Sequence, residues 1–108
     1  MLLHVVLFRP KPDVSPEERD RLFDALRAAA RDIPTVRGFR IAQHLDPAPQ
    51  YRMGGFPDLP WAAVIEFDDR AGLEAYLSHP AHQDLGRRFN AAADTALIYD
   101  YAVTERLR

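Results

Sequence analysis

Apolar residues recur along the chain with two different periods, and the switches between them mark the elements. Residues 2–9, LLHVVLFR, are apolar at nearly every position, and Pro10 and Pro12 close the run, which predicts a strand. Ser15-Pro16-Glu17-Glu18 then offers an N-cap serine, a proline at the first helical position and a glutamate at the third, a capping-box start. Behind it Leu22, Phe23, Leu26, Ala29, Ala30 and Ile33 fall at three- and four-residue spacing, with arginines and Asp24 elsewhere, so the helix has one apolar face until Pro34 ends it. Residues 36–45 alternate Phe39, Ile41 and Gln43 against Arg40, Ala42 and His44, a second strand. Residues 46–60, DPAPQYRMGGFPDLP, contain four prolines and two adjacent glycines and predict a long loop. Residues 61–68 form a third strand with Trp61, Ala63, Ile65 and Phe67 on one face. A short helix at 70–78 turns Leu73, Tyr76 and Leu77 inward. Pro80 interrupts it and restarts a helical segment to about Ala93, anchored by Leu85 and Phe89, and residues 95–103, TALIYDYAV, are the last strand. The order βαββαβ predicts an α+β fold, a ferredoxin-like sandwich with a four-stranded antiparallel sheet and its helices on one face.

That architecture conflicts with the pattern in one respect. A monomer should show polar residues on the sheet face that the helices leave open. Here the first strand is apolar on both parities, Leu3, Val5 and Leu7 against Val6 and Phe8, and the last carries Leu97, Tyr99, Tyr101 and Val103 opposite Ala96 and Ile98. The open face therefore calls for a partner surface, and the simplest closed solution is a homodimer through the sheet face.

Composition narrows the remaining possibilities. A length of 108 residues with 47% hydrophobic and 28% charged residues suits a single globular domain over 1–108. The net charge of −2 comes from interspersed arginines and acids, without the basic stripe that collects phosphates, so nucleic acid is not an expected partner. The absence of cysteine excludes disulfides and thiolate chemistry. The apolar start is short, lacks a basic leader and is broken by His4, and no run reaches the length of a membrane span; a soluble, cytoplasmic protein is expected.

Several spaced segments together resemble the stress-responsive A/B barrel (Dabb) family: HVVLF at 4–8, the I-P-x-V-R-x-F run at 33–39, VIEF at 64–67, AYLSHPAH at 75–82 and IYDY at 98–101. The resemblance covers the chain apart from the 46–60 loop. It implies a dimeric α/β barrel made of two ferredoxin-like sheets packed face to face, agreeing with the dimer read from the strand faces. It also implies a pocket between helices and sheet. In polyketide cyclase-like members that pocket uses a tyrosine on the second helix, the last histidine of H-P-A-H and a histidine on the first strand, which correspond here to Tyr76, His82 and His4. A further pocket histidine of such cyclases is replaced by Trp61. Members of the wider superfamily include cofactor-free monooxygenases, isomerases and haem enzymes, so the fold does not fix the chemistry.

Read physically, His79 caps the helix that Pro80 begins, and His82 occupies the third helical position, beside unpaired amides and the positive end of the dipole. That environment favours a neutral imidazole, suited to act as general base, with the Tyr76 hydroxyl stabilising an oxyanion. The expected chemistry is cyclisation, isomerisation or lyase action on a carbonyl compound, without a cofactor. Phe39, Trp61, Ile65, Leu26 and Ile98 are the candidate substrate-binding residues. The alternative is a non-catalytic dimeric stress or ligand-binding protein, in which H-P-A-H shapes a helix junction and Tyr76 and His4 are hydrogen-bonded core residues. A metal site from His79, His82 and Asp84 is not expected, because zinc-binding helices present histidines four apart and a proline interrupts this set.

Overall fold

The computed structural model describes residues 1–45, 55 and 57–108. Its elements run β1 (Leu2–Pro10), α1 (Pro16–Asp32), β2 (Gly38–Gln43), β3 (Trp61–Phe67), α2 (Arg70–Ser78), α3 (Pro80–Ala92) and β4 (Ala93–Ala102). The four strands form one sheet in the order β2-β3-β1-β4, with antiparallel neighbours throughout. This is the expected ferredoxin-like arrangement. Most of the expected 46–60 loop lies outside the described residues.

Local chemistry accounts for the boundaries. Ser15 Oγ accepts from the Glu18 amide at 3.1 Å and Pro16 opens α1. The reciprocal arm of the capping box does not form: the Glu18 carboxylate lies 3.7 Å from Arg21, with Oε2 buried and unbonded. Asp69 caps α2 through Gly72 N at 2.9 Å, and His79 caps α3, its Nδ1 accepting from Ala81 N at 3.0 Å. The second strand is shorter than the expected 36–45. Among the described residues this edge strand pairs only with β3, and that ladder spans Gly38↔Glu66 to Gln43↔Trp61. Leu77, expected inward, is exposed, because the short α2 turns only Gly72, Leu73 and Tyr76 into the core.

Register sorts the side chains into two faces. Leu2, His4, Val6 and Phe8 of β1 stand opposite Phe67, Ile65, Ala63 and Trp61 of β3, and this surface lies under the helices. Phe8, Leu22, Phe67 and Ile65 are fully buried in the resulting core, each contributing about 1.5–3 kcal/mol from the hydrophobic effect. On the other face Leu97, Tyr99, Tyr101 and Val103 remain exposed, beside Leu3, Val5 and Val64. No helix among the described residues covers them.

The two-layer packing is uneven. α3 packs along α1 and touches β4 only lightly. The helix-side residues of β4, Ala96, Ile98, Asp100 and Ala102, are therefore exposed although they share a face with the core.

Candidate functional site

His4, at the centre of β1, is the buried polar residue of the core among the described residues, 5% exposed. β4 places Asp100 opposite it, and the His4 Nδ1–H donates to Asp100 Oδ1 at 2.5 Å. A carboxylate at this position holds the ring in one orientation. Tyr76 lies on the inner face of α2, 1% exposed, with its ring 5.8 Å from that of His4 in an edge-to-face arrangement. His82, in the first turn of α3, has its ring 4.7 Å from Tyr76. Tyr76 thus lies against both imidazoles.

The junction between α2 and α3 fixes His82. Its Nδ1 donates to the Leu77 carbonyl at 3.1 Å, and since a carbonyl only accepts, the proton of the neutral ring is on Nδ1 and Nε2 is the basic nitrogen. Burial lowers the proton affinity of His82 most; the Leu77 bond raises it, and the charge of a protonated His4 lowers it further. Burial also pushes the Tyr76 phenol up, and no hydrogen bond to a described residue offsets that. The phenol is a neutral donor without a partner among the described residues, and the imidazole is a neutral acceptor.

These three side chains line one cavity of about 190 Å³ between the helices and the sheet. Its apolar wall includes Leu26, Ala63, Ile65 and Phe89, and its outer rim Gly86, Asn90 and Ile98. Of the sequence-derived candidates, His4, Tyr76, His82, Leu26, Ile65 and Ile98 are brought together here. Phe39 and Trp61 are not. Phe39 sits beside Ile65 in the sheet ladder, and Trp61 packs edge-on against Phe23 at 4.8 Å, under the guanidinium of Arg19. Phe8 lies against both Phe23 and Phe89, and neither it nor Trp61 lines the cavity. Among the described residues no three His, Asp or Glu side chains form a metal-binding group.

Two polar residues at this site escaped the sequence reading. Asp100 shares the parity of Ile98, and a carboxylate on a helix-facing parity was the available signal. Asn90 lies two turns beyond His82 on the same face of α3, a spacing visible only once that face is known to border a cavity.

Comparison with known proteins places this geometry in context. The chain is 25% identical over 100 residues to a stress-response A/B barrel domain-containing protein of Arabidopsis thaliana, covering 93% of this chain and 84% of that one. A dimeric ferredoxin-like protein of unknown function from Jannaschia sp. superposes with a TM-score of 0.73 at 27% identity, over 94% of this chain and 98% of that one. Hydroxynitrile lyase from Passiflora edulis shares the fold, with a TM-score of 0.80 at 20% identity over 99% and 96% of the two chains. The family profile described as Stress responsive A/B Barrel Domain matches residues 2–103, so the βαββαβ chain with its helix-side cavity belongs to the stress-responsive A/B barrel (Dabb) family.

Proposed function

We propose that the protein binds a small carbonyl compound in the cavity between helices and sheet and converts it by acid–base chemistry. One observation carries this reading: the side chain of core residue Tyr76, whose hydroxyl makes no hydrogen bond to a described residue, and a neutral imidazole line the same cavity. The volume, about 190 Å³, slightly exceeds the ~150 Å³ of a cavity known to take up benzene, so the buried part of the ligand is one ring or a short chain.

In the proposed reaction His82 Nε2 removes a proton from the carbon next to the carbonyl. The electron pair moves onto the carbonyl oxygen, and the Tyr76 O–H stabilises the enolate by hydrogen bonding. In an enone the extended enolate then takes the proton back at a carbon further along the conjugated chain, an isomerisation; in a dicarbonyl compound the enolate carbon attacks the second carbonyl of the same molecule. In the second case the new alkoxide receives the proton held by His82. Both outcomes are redox-neutral. His4, held by Asp100, assists by bordering the Tyr76 ring.

The protein works as a homodimer, with a second copy covering the open sheet face. Support comes from the exposed Leu97, Tyr99, Tyr101 and Val103, and from the similar Jannaschia protein, which is described as dimeric.

The test is a thermal-shift screen of small ketones and enones on wild type, His82→Ala and Tyr76→Phe, followed by NMR detection of solvent deuterium entering any ligand found. Wild type is expected to be stabilised and to exchange the proton beside the carbonyl. Both variants should remain folded and exchange at least tenfold more slowly, within the range for loss of a general base or oxyanion donor. Binding without exchange would leave a ligand-binding protein in place of an enzyme.

A further inference from the structure

Gly86 is in the middle of α3, where glycine costs stability relative to alanine, and nothing in its backbone requires it. A Cβ built there meets no atom within 4 Å. Close packing is therefore not the reason either. Gly86 borders the cavity one turn after His82 and one turn before Asn90. Helical side chains lean toward the N-terminus, so any side chain at 86 would extend over His82.

The cavity has a closed end and an open one. His4 and Tyr76 are buried at the inner end, whereas Ile98 is 55% exposed and Asn90 is exposed at the rim. The opening follows from the light packing of α3 on β4, which leaves a gap along the sheet edge. Gly86 forms the helix side of that gap and Ile98 the strand side.

We infer that Gly86 is a specificity-determining residue: its missing side chain keeps open the passage between α3 and β4, and the ligand is a carbonyl compound carrying an unbranched stem that leaves through it. The inference rests on the proposed reading of the cavity. The carbonyl end occupies the chamber beside Tyr76 and His82. The stem passes Gly86 and lies against Ile98, with Asn90 at its exit.

Phenyl ketones of increasing chain length, from acetophenone through butyrophenone to hexanophenone, probe this directly by calorimetric or NMR titration. Wild type should bind hexanophenone at least tenfold more tightly than acetophenone. Gly86→Leu should lose the gain from the longer chain and bind hexanophenone no more tightly than acetophenone. Gly86→Ala should melt at a higher temperature than wild type, because alanine favours the helix, and show a partial loss of the length dependence, which keeps the test decisive should the leucine variant fold poorly. Wild-type binding that does not change with chain length, or a Gly86→Leu variant that binds hexanophenone as wild type does, would overturn the inference and leave the acid–base reading intact. The converse failure is separate. Length-dependent binding that passes through Gly86, with no proton exchange in wild type, would remove the chemistry and keep the passage.

Discussion

His82 shows how one position in a motif acquires a chemical state. The sequence places it at the third residue of a helix, where the dipole disfavours a charged ring. The folded chain adds burial, the Leu77 carbonyl and the nearby His4, with burial the largest effect and the net direction downward. Between the lowered value and the ordinary 6.5 the unfolded chain binds more protons than the native one, so stability rises with pH across that window and falls as the solution is acidified through it. Wild type should therefore lose melting temperature relative to His82→Asn between about pH 7.5 and about pH 5, as read by circular dichroism. Parallel curves for the two proteins would contradict the assignment. The pairing of His4 with Asp100 was not legible at this scale. The two residues are far apart in the chain, and only the β1–β4 register makes them neighbours.

At the scale of elements, the prolines and capping residues carry most of the information. Pro16, Pro34 and Pro80 each fall at or beside a helix boundary, because proline lacks the amide that a helix interior needs. The stretch YLSHPAHQDL separates into distinct tasks for the same reason. His79 ends α2 and caps α3 through Ala81 N, while His82 is turned to the cavity. His79→Ala should cost about 1 kcal/mol by chemical denaturation and His79→Asn almost nothing, since asparagine is a good N-cap. Ligand binding should be the same in both, which would distinguish this histidine from His82. Strand ends were less legible. The extent of β2 is set by its register with β3, a property of the pair rather than of residues 36–45.

For the whole molecule, the open sheet face makes the strongest demand. Leu97, Tyr99 and Tyr101 are 36%, 47% and 54% exposed on one continuous surface with Val103, a patch that a stable monomer rarely shows. Light scattering at micromolar concentration should give twice the chain mass of 12.3 kDa. In an isologous interface a substitution occurs on both partners at once, so Tyr101→Glu introduces two charges into the contact. That variant should run as a monomer with a lower, concentration-independent melting temperature, and a wild-type monomer would contradict the face argument.

Sequence alone determined the order of elements, their capping, the two apolar faces of the sheet, and the residue types at the cavity, because each depends on contacts within a few positions or on a strict period along one element. It also supplied Tyr76, His82 and His4, through spaced motifs shared with a family. The tertiary structure alone decided that Phe39 and Trp61 stand outside the cavity, that Asp100 holds His4, and that Gly86 borders an opening. Those facts depend on where α3 settles across the sheet. It packs on α1 and leaves β4 nearly bare, a choice made by the summed fit of many side chains and written in no single stretch of the chain.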